Sequence, residues 1–211
     1  MARNKYPEET VKLIMDTAAQ MFMEKGYDQT SLQDIINATN LSKGAIYHHF
    51  SSKEDIFEKI CLRIRDENAT RLSAIRDDKT LNGHEKLRQL FRSAMLHKNQ
   101  EEIAGVTPYL LDNSRFLAIH IKELFHVTAP DYIAPIIKEG IKDGSIKAED
   151  PEQLAEAIII LTDVWLNPLM QPTSKEETLA RCNVFKRIIN SMGLDFLDDD
   201  VIDSFLSFST A

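Results

Sequence analysis

Apolar residues return at every third or fourth position along almost the whole chain, and no stretch keeps the strict alternation of a half-buried strand. This spacing predicts an all-α protein. Val11, Ile14, Met15, Ala18, Met21 and Phe22 line one face of a first helix. Pro7 suits its opening position, Glu8 and Glu9 suit its positive end, and Gly26 suits its left-handed cap. Beyond residue 80 the same spacing predicts helices over 84–98, 101–112, 114–126, 130–143, 151–170, 175–192 and 198–207, punctuated by Gly144, Pro151, Pro172 and Gly193.

The stretch from Thr30 to Phe57 reads TSLQDIINATNLSKGAIYHHFSSKEDIF. Thr30 and Gln33 have capping-box spacing and open a short helix carrying Leu32, Ile35 and Ile36. Asn40 follows, a residue that tolerates positive φ in a tight turn. Leu41 plugs the angle, Ser42 caps a third helix to about His49, and Ser51 or Ser52 caps a fourth. That fourth helix runs from 53 to 76, about 36 Å at the α-helical rise, long enough to connect two bodies. Two short helices meeting at a three- or four-residue turn, the second polar at its exposed start, form the helix-turn-helix pattern, whose second helix enters a major groove.

The side chains suit duplex DNA. Lys43 donates to guanine acceptors or phosphate, Gly44 lets backbone approach closely, and Ala45 and His48 face base edges. Thr30, Ser42, Tyr47 and Lys53 are expected at phosphates, three of them at helix starts that already favour an anion. Ile46 and Phe50 are expected to hold the helix on the core.

These residues resemble the DNA-binding head of the TetR/AcrR family of bacterial transcriptional regulators. The resemblance rests on Thr30, Leu41-Ser42-Lys43-Gly44, Tyr47, Phe50 and Ser52-Lys53-Glu54, and covers about residues 10–60. The chain departs from it at Asn40, where glycine is usual, and at Ile36, where a small residue is usual. The resemblance implies a helix-turn-helix domain over 1–52, a connecting helix over 53–76, and a ligand-binding and dimerisation domain over 77–211. It implies a cytoplasmic, non-enzymatic repressor. Such a repressor is released from a palindromic double-stranded operator when a small-molecule effector binds. A DNA-binding protein with no small-molecule effector is the alternative.

The charge distribution agrees with that division. Residues 1–65 carry nine Lys and Arg and nine Asp and Glu, so the whole net charge of −8 falls to residues 66–211. Met1 to Pro7 have no hydrophobic core of a secretory signal, and no apolar run reaches the length of a membrane span. Cys61 and Cys182 read as two reduced thiols.

In the second domain Phe91, Met95, Tyr109, Phe116, His120, Trp165 and Asn167 are the candidates for a cavity wall, with ordinary core as the competing reading. His120 and Glu123 share a helix face and His126 lies further along, but two such residues without a cysteine cluster do not make a metal site, and none is expected. No cofactor motif or nucleophile–base pairing is visible, so an enzyme built on His120 and Glu123 is disfavoured. The helices near 151–170 and 175–192 are expected to pair with a second copy through Ala155, Ile158, Ile159, Thr162, Leu166, Val184, Phe185, Ile188 and Ile189.

Overall fold

A computed structural model describes residues 7–95, Thr107 and residues 114–209. All regular structure in these residues is helical. The elements are α1 (Pro7–Lys25), α2 (Leu32–Thr39), α3 (Lys43–His49), α4 (Lys53–Asp77), α5 (Gly83–Met95), α6 (Ser114–Glu123), α7 (Ala134–Asp143), α8 (Pro151–Ile160), α9 (Lys175–Ser191) and α10 (Asp199–Ser207). The chain divides into two compact units, and the division falls between Glu67 and Asn68, inside α4.

In the first unit, Ile14, Met15, Ala18, Ala19, Met21 and Phe22 of α1 turn one face inward. They meet Ile35, Ile46, Ile56, Phe57 and Ile60, all buried. Phe22, Tyr27 and Phe57 form an aromatic knot with ring centroids 5.0, 5.2 and 6.1 Å apart. Gly26 takes φ +83° beyond the end of α1, which lets the chain turn toward α2.

The capping box of α2 is one residue away from the Thr30–Gln33 expectation. Ser31 Oγ accepts from the Asp34 amide at 3.1 Å, and Asp34 Oδ2 accepts from the Ser31 amide at 2.9 Å. Thr30 instead faces the interior, where its hydroxyl donates to the Gly26 carbonyl at 2.9 Å.

In the second unit the core gathers Leu87, Leu90 and Phe91 of α5, Ile136 and Ile137 of α7, Ala155 and Ile158 of α8, and Cys182, Phe185 and Ile189 of α9. Phe91 stacks on Phe196 at 4.2 Å between centroids, with the planes 13° apart. The expected gap between helices at 126–130 is absent. Residues 114–143 run as one continuous rod in which Leu124–Ile133 is π-helical. Pro130 lies inside that stretch. A proline has no N–H to donate and its ring crowds the carbonyl four residues back, so wider turns relieve in place what the sequence rule treats as a break. The helix expected over 151–170 ends earlier: α8 passes into a π-helical stretch, Leu161–Trp165, and a turn built on Asn167 follows.

The start of α5 is packed backbone to backbone on α7. A Cβ on Gly83 would lie 2.2 Å from the Gly140 Cα, so position 83 requires glycine's lack of a side chain, while a Cβ on Gly140 would press on the Ile146 side chain at 2.5 Å. The first amides of α5 find acceptors on the far end of α7: Gly83 donates to Asp143 Oδ2 at 2.9 Å and His84 to Ser145 Oγ at 3.1 Å. Lys86 is fully buried, and its ammonium donates to the Arg76 carbonyl at the end of α4 (2.9 Å) and to Glu139 Oε2 (2.6 Å).

The residues expected to face a second copy mostly belong to this core. Ala155, Ile158, Ile159, Thr162, Leu166, Phe185 and Ile189 are buried within the chain itself. Val184 is exposed and Ile188 half-buried. A broad apolar face serves an internal core and an interface with the same periodicity, and here the internal core takes most of it.

Candidate nucleic-acid interface

The geometry that presents α3 begins at Asn40. This residue sits at φ 54°, ψ 21°, the left-handed conformation that the helix-turn-helix turn demands. Ser42 then caps α3, its hydroxyl accepting from the Ala45 amide at 3.1 Å. Ile46 and Phe50 are buried and hold the helix against the unit's core. The opposite face carries Lys43, Gly44, Tyr47 and His48, all exposed; these four share a face because residues four apart stack on a helix. Tyr47 is 48% exposed, a large apolar ring left in water, with the Lys43 ammonium 5.6 Å above its centroid. Ala45 and His49 are half-buried at the edges, and the His48 and His49 rings meet at 4.9 Å.

Anions favour helix starts, and the three starts around this face differ. In α2 the Asp34 carboxylate already occupies the N-terminus, and hydrogen bonds from the Ser31 hydroxyl and amide hold it below the ordinary carboxylate range. At α4 the Asp55 carboxylate accepts from the Ser51 amide at 2.8 Å, and the Ser52 hydroxyl accepts from the Asp55 amide. By contrast α3 has no acidic residue in its first turn. Its leading amides, on Lys43 and Gly44, have no intrahelical carbonyl to meet. A Cβ on Gly44 would meet nothing within 4 Å, so the space beside this residue on the exposed face is open. Backbone N–H groups, the helix dipole, a lysine and a phenol thus converge on one exposed surface suited to a phosphate backbone and base edges.

One of the expected phosphate contacts, Thr30, is placed elsewhere. Thr30 is 1% exposed and its hydroxyl is committed to the Gly26 carbonyl, so it cannot reach a phosphate. Lys53 is half-buried, its ammonium donating to the Tyr27 carbonyl at 2.7 Å and lying 3.9 Å from the Tyr27 ring centroid. The residue at the exposed start of α2 is Ser31; its S-x-x-D spacing with Asp34 was available in the sequence beside the T-x-x-Q spacing of Thr30 and Gln33. Tyr27, the hub of the aromatic knot, carries no sequence signal of that role.

Four of the effector candidates, Phe91, His120, Trp165 and Asn167, lie among the described side chains. Phe91 is core. Asn167 builds a turn, its Oδ1 accepting from the Leu169 amide at 3.0 Å. Trp165 is half-buried, with Arg181 donating to its carbonyl at 2.9 Å and lying 5.9 Å from its ring centroid. His120 Nε2 lies 2.7 Å from Asp163 Oδ2. Tyr109 lies outside the described residues, as do the side chains of Met95 and Phe116. An open depression of about 420 Å3 runs along α5, lined by Glu85, Arg88, Gln89, Arg92 and Ser93, none of them a candidate. Among the described residues no group of three or more His, Cys, Asp or Glu stands where it could hold a metal ion, and no helix is long and apolar enough to cross a membrane.

Residues 14–60 match the family model described as bacterial regulatory proteins, tetR family. The chain is 34% identical to the HTH-type transcriptional regulator YuxN of Bacillus subtilis, over 80% of this chain and 67% of that protein. It is 48% identical over 46 residues to the biofilm operon icaADBC HTH-type negative transcriptional regulator IcaR of Staphylococcus aureus, 22% of this chain and 25% of that one. Among solved structures it shares its fold with a TetR-family transcriptional regulator from Pectobacterium atrosepticum (TM-score 0.60, 21% identity, 92% of this chain and 99% of that one). It shares it also with a gamma-butyrolactone receptor described as ArpA-like (TM-score 0.58, 19% identity, 96% and 94%).

Proposed function

Because the chain belongs to the tetR family of bacterial regulatory proteins and is a transcriptional regulator, we propose that it is a repressor that binds a palindromic operator as a homodimer and lets go when a small molecule occupies its second unit. The observation that carries the DNA-binding reading is α3. Ile46 and Phe50 anchor it, its first turn carries no carboxylate, and Lys43, Gly44, Tyr47 and His48 are displayed together on its outer face. In this reading Ser42 and Tyr47 contact phosphates, while Lys43 and His48 read base edges, with Ala45 at the margin. Similarity to a negative regulator, IcaR, supports repression over activation.

One seven-residue helix reads few bases, so two heads on half-sites about 34–36 Å apart are the economical arrangement. With the inner faces of α8 and α9 consumed by the chain's own core, the second copy is assigned to what remains outside: Leu179 and Val184, exposed, and Ile188, half-buried, on α9. The effector reading is supported by a gamma-butyrolactone receptor of the same fold. Release requires that the effector bind the non-operator conformation more tightly than the operator-bound one.

The test is a selection of duplexes from a random pool, followed by salt titrations of the selected sequence. Tyr47→Ala and Ser42→Ala should each weaken binding and flatten the dependence of affinity on salt, while the far-ultraviolet dichroism stays that of the parent. Parent-like affinity in both variants would remove the proposed phosphate contacts.

A further inference from the structure

The outward face of α1 is charged: Glu8, Glu9, Lys12, Asp16, Glu24 and Lys25 are exposed on it. Where that helix shows an amide, Gln20, the amide donates to a carboxylate, Glu24 Oε1, at 2.9 Å. The outward face of α2 is of another kind. Ile35, Ile36 and Thr39 are buried, and Gln33, Asn37, Ala38 and Asn40 stand exposed, none of them charged. The carboxylate of α2, on Asp34, is turned back onto the Ser31 cap. Gln33 and Asn37 are one helical turn apart, and Gln33 Nε2 donates to Asn37 Oδ1 at 3.0 Å. Positions 33, 37 and 40 follow the i, i+4, i+7 row of a helix, so the row runs into Asn40, the left-handed residue from which the chain turns to α3. Lys43 and Gly44 open the exposed face of α3 directly beyond that turn.

A primary amide has two N–H donors and a carbonyl oxygen that accepts. The bond to Asn37 takes one N–H of Gln33 and holds its amide, so the other N–H and Oε1 remain for a second partner on an exposed face. Adenine shows the complementary pair in the major groove, an N7 that accepts and an N6 that donates. A lysine in this place would attract the phosphates of any sequence, and a carboxylate would be repelled by them. A neutral amide braced by a neutral neighbour contributes only where a base edge matches it. We propose that Gln33 is a specificity-determining residue that reads an adenine in the major groove, beside the base pairs read by α3. Asn37 is its positioning residue and holds the amide in the orientation that adenine requires. The inference rests on the DNA-binding reading above and adds base contacts from α2 to those assigned to α3.

The full chain is used first to select a preferred duplex from a random pool, and each base pair of that duplex is then changed singly. Parent, Gln33→Ala, Asn37→Ala and Asn37→Asp are titrated with the whole set. The ratio of two affinities does not depend on the fraction of a variant that is folded, so a loss of fold cannot imitate a loss of preference. The parent is expected to prefer A·T to G·C by about tenfold at one symmetric pair of positions, the scale of one bidentate amide–adenine contact. Gln33→Ala should lose that preference and keep those at every other position. Asn37→Ala should lose most of it, and Asn37→Asp, which keeps the acceptor for Gln33, should retain it at lower overall affinity. Replacing the adenine by 7-deazaadenine, which lacks the N7 acceptor, should weaken the parent and leave Gln33→Ala unchanged. Preferences untouched by Gln33→Ala at every position overturn the proposal. So does an equal loss on all duplexes, which makes Gln33 a contact to the DNA backbone, and so does equal weakening of parent and Gln33→Ala by 7-deazaadenine. Asn37→Ala with the parent's preferences intact overturns the positioning role. A selection that returns no preferred sequence for the parent fails earlier, and overturns the DNA-binding reading together with this one.

Discussion

Breaking the Lys86–Glu139 pair from its two ends should have unequal effects on the second unit. The side chain of Lys86 is 0% exposed and that of Glu139 is 37% exposed, so the two substitutions strand different charges. Lys86→Met fills the same channel with an apolar chain and leaves Glu139 free to turn toward water. What is lost is one charge-assisted hydrogen bond and the partner of the Arg76 carbonyl, about 1 kcal/mol after the saved desolvation of the ammonium. Glu139→Gln leaves a buried ammonium with only neutral acceptors, and removal of one partner from a buried pair costs about 3 kcal/mol or more. The expected gap is about 2 kcal/mol, with the glutamine variant the less stable. Trp165 is the only tryptophan and lies in the second unit, so its fluorescence during urea unfolding follows that unit alone. At a slope of about 2 kcal/mol/M the two midpoints should lie about 1 M apart. Equal midpoints, or Lys86→Met as the less stable variant, would refute the argument from which charge is stranded.

Three further outcomes are expected. Burial raises Asp198, but Arg92, the Val201 amide and Arg88 outweigh it and hold the carboxyl below its ordinary value. Its contribution is therefore present above the unfolded value of about 3.9 and is lost as pH falls through the lower folded value, so Asp198→Asn should be less stable at neutral pH and flatter in acid melts. Burial lowers His120, yet the Asp163 hydrogen bond and charge, with Glu123, raise it on balance. That contribution is present below about pH 6.5 and is lost as pH rises through the higher folded value, a decline that Asp163→Asn should remove from melts followed at Trp165. Gly83→Ala puts a Cβ 2.2 Å from the Gly140 backbone, so α5 and α7 must part; the cost is about 3 kcal/mol, a fall of about 10 °C in Tm, and a variant melting with the parent would contradict the close approach.

The first unit was legible wherever the signal was local. Asn40 in the turn, Ser42 as a cap and Ile46 and Phe50 inward follow from side-chain chemistry within a few residues, and the structure has each of them so. The shift from Thr30 to Ser31 was not legible, because both residues can cap and both Gln33 and Asp34 can close a box. What decides it is that Thr30 finds the Gly26 carbonyl inside the unit. Lys53 reads as a surface cation until Tyr27 is packed beneath it, and Lys86 reads so until Glu139 and the end of α4 surround it. Pro130 signals a break, and only the continuous backbone shows π-helical turns absorbing it. The apolar faces of residues 151–170 and 175–192 are the clearest ambiguity, since periodicity records that a face is covered and not whether the cover is the same chain or another.

Guanine methylation interference on the selected duplex tests the central claim most directly, because N7 lies in the major groove that α3 is assigned to enter. The account predicts interference at guanine N7 in two symmetric clusters, and its loss at a base when Lys43 is replaced by alanine. Interference confined to adenine N3 in the minor groove, or a parent protein that selects no sequence, would contradict it.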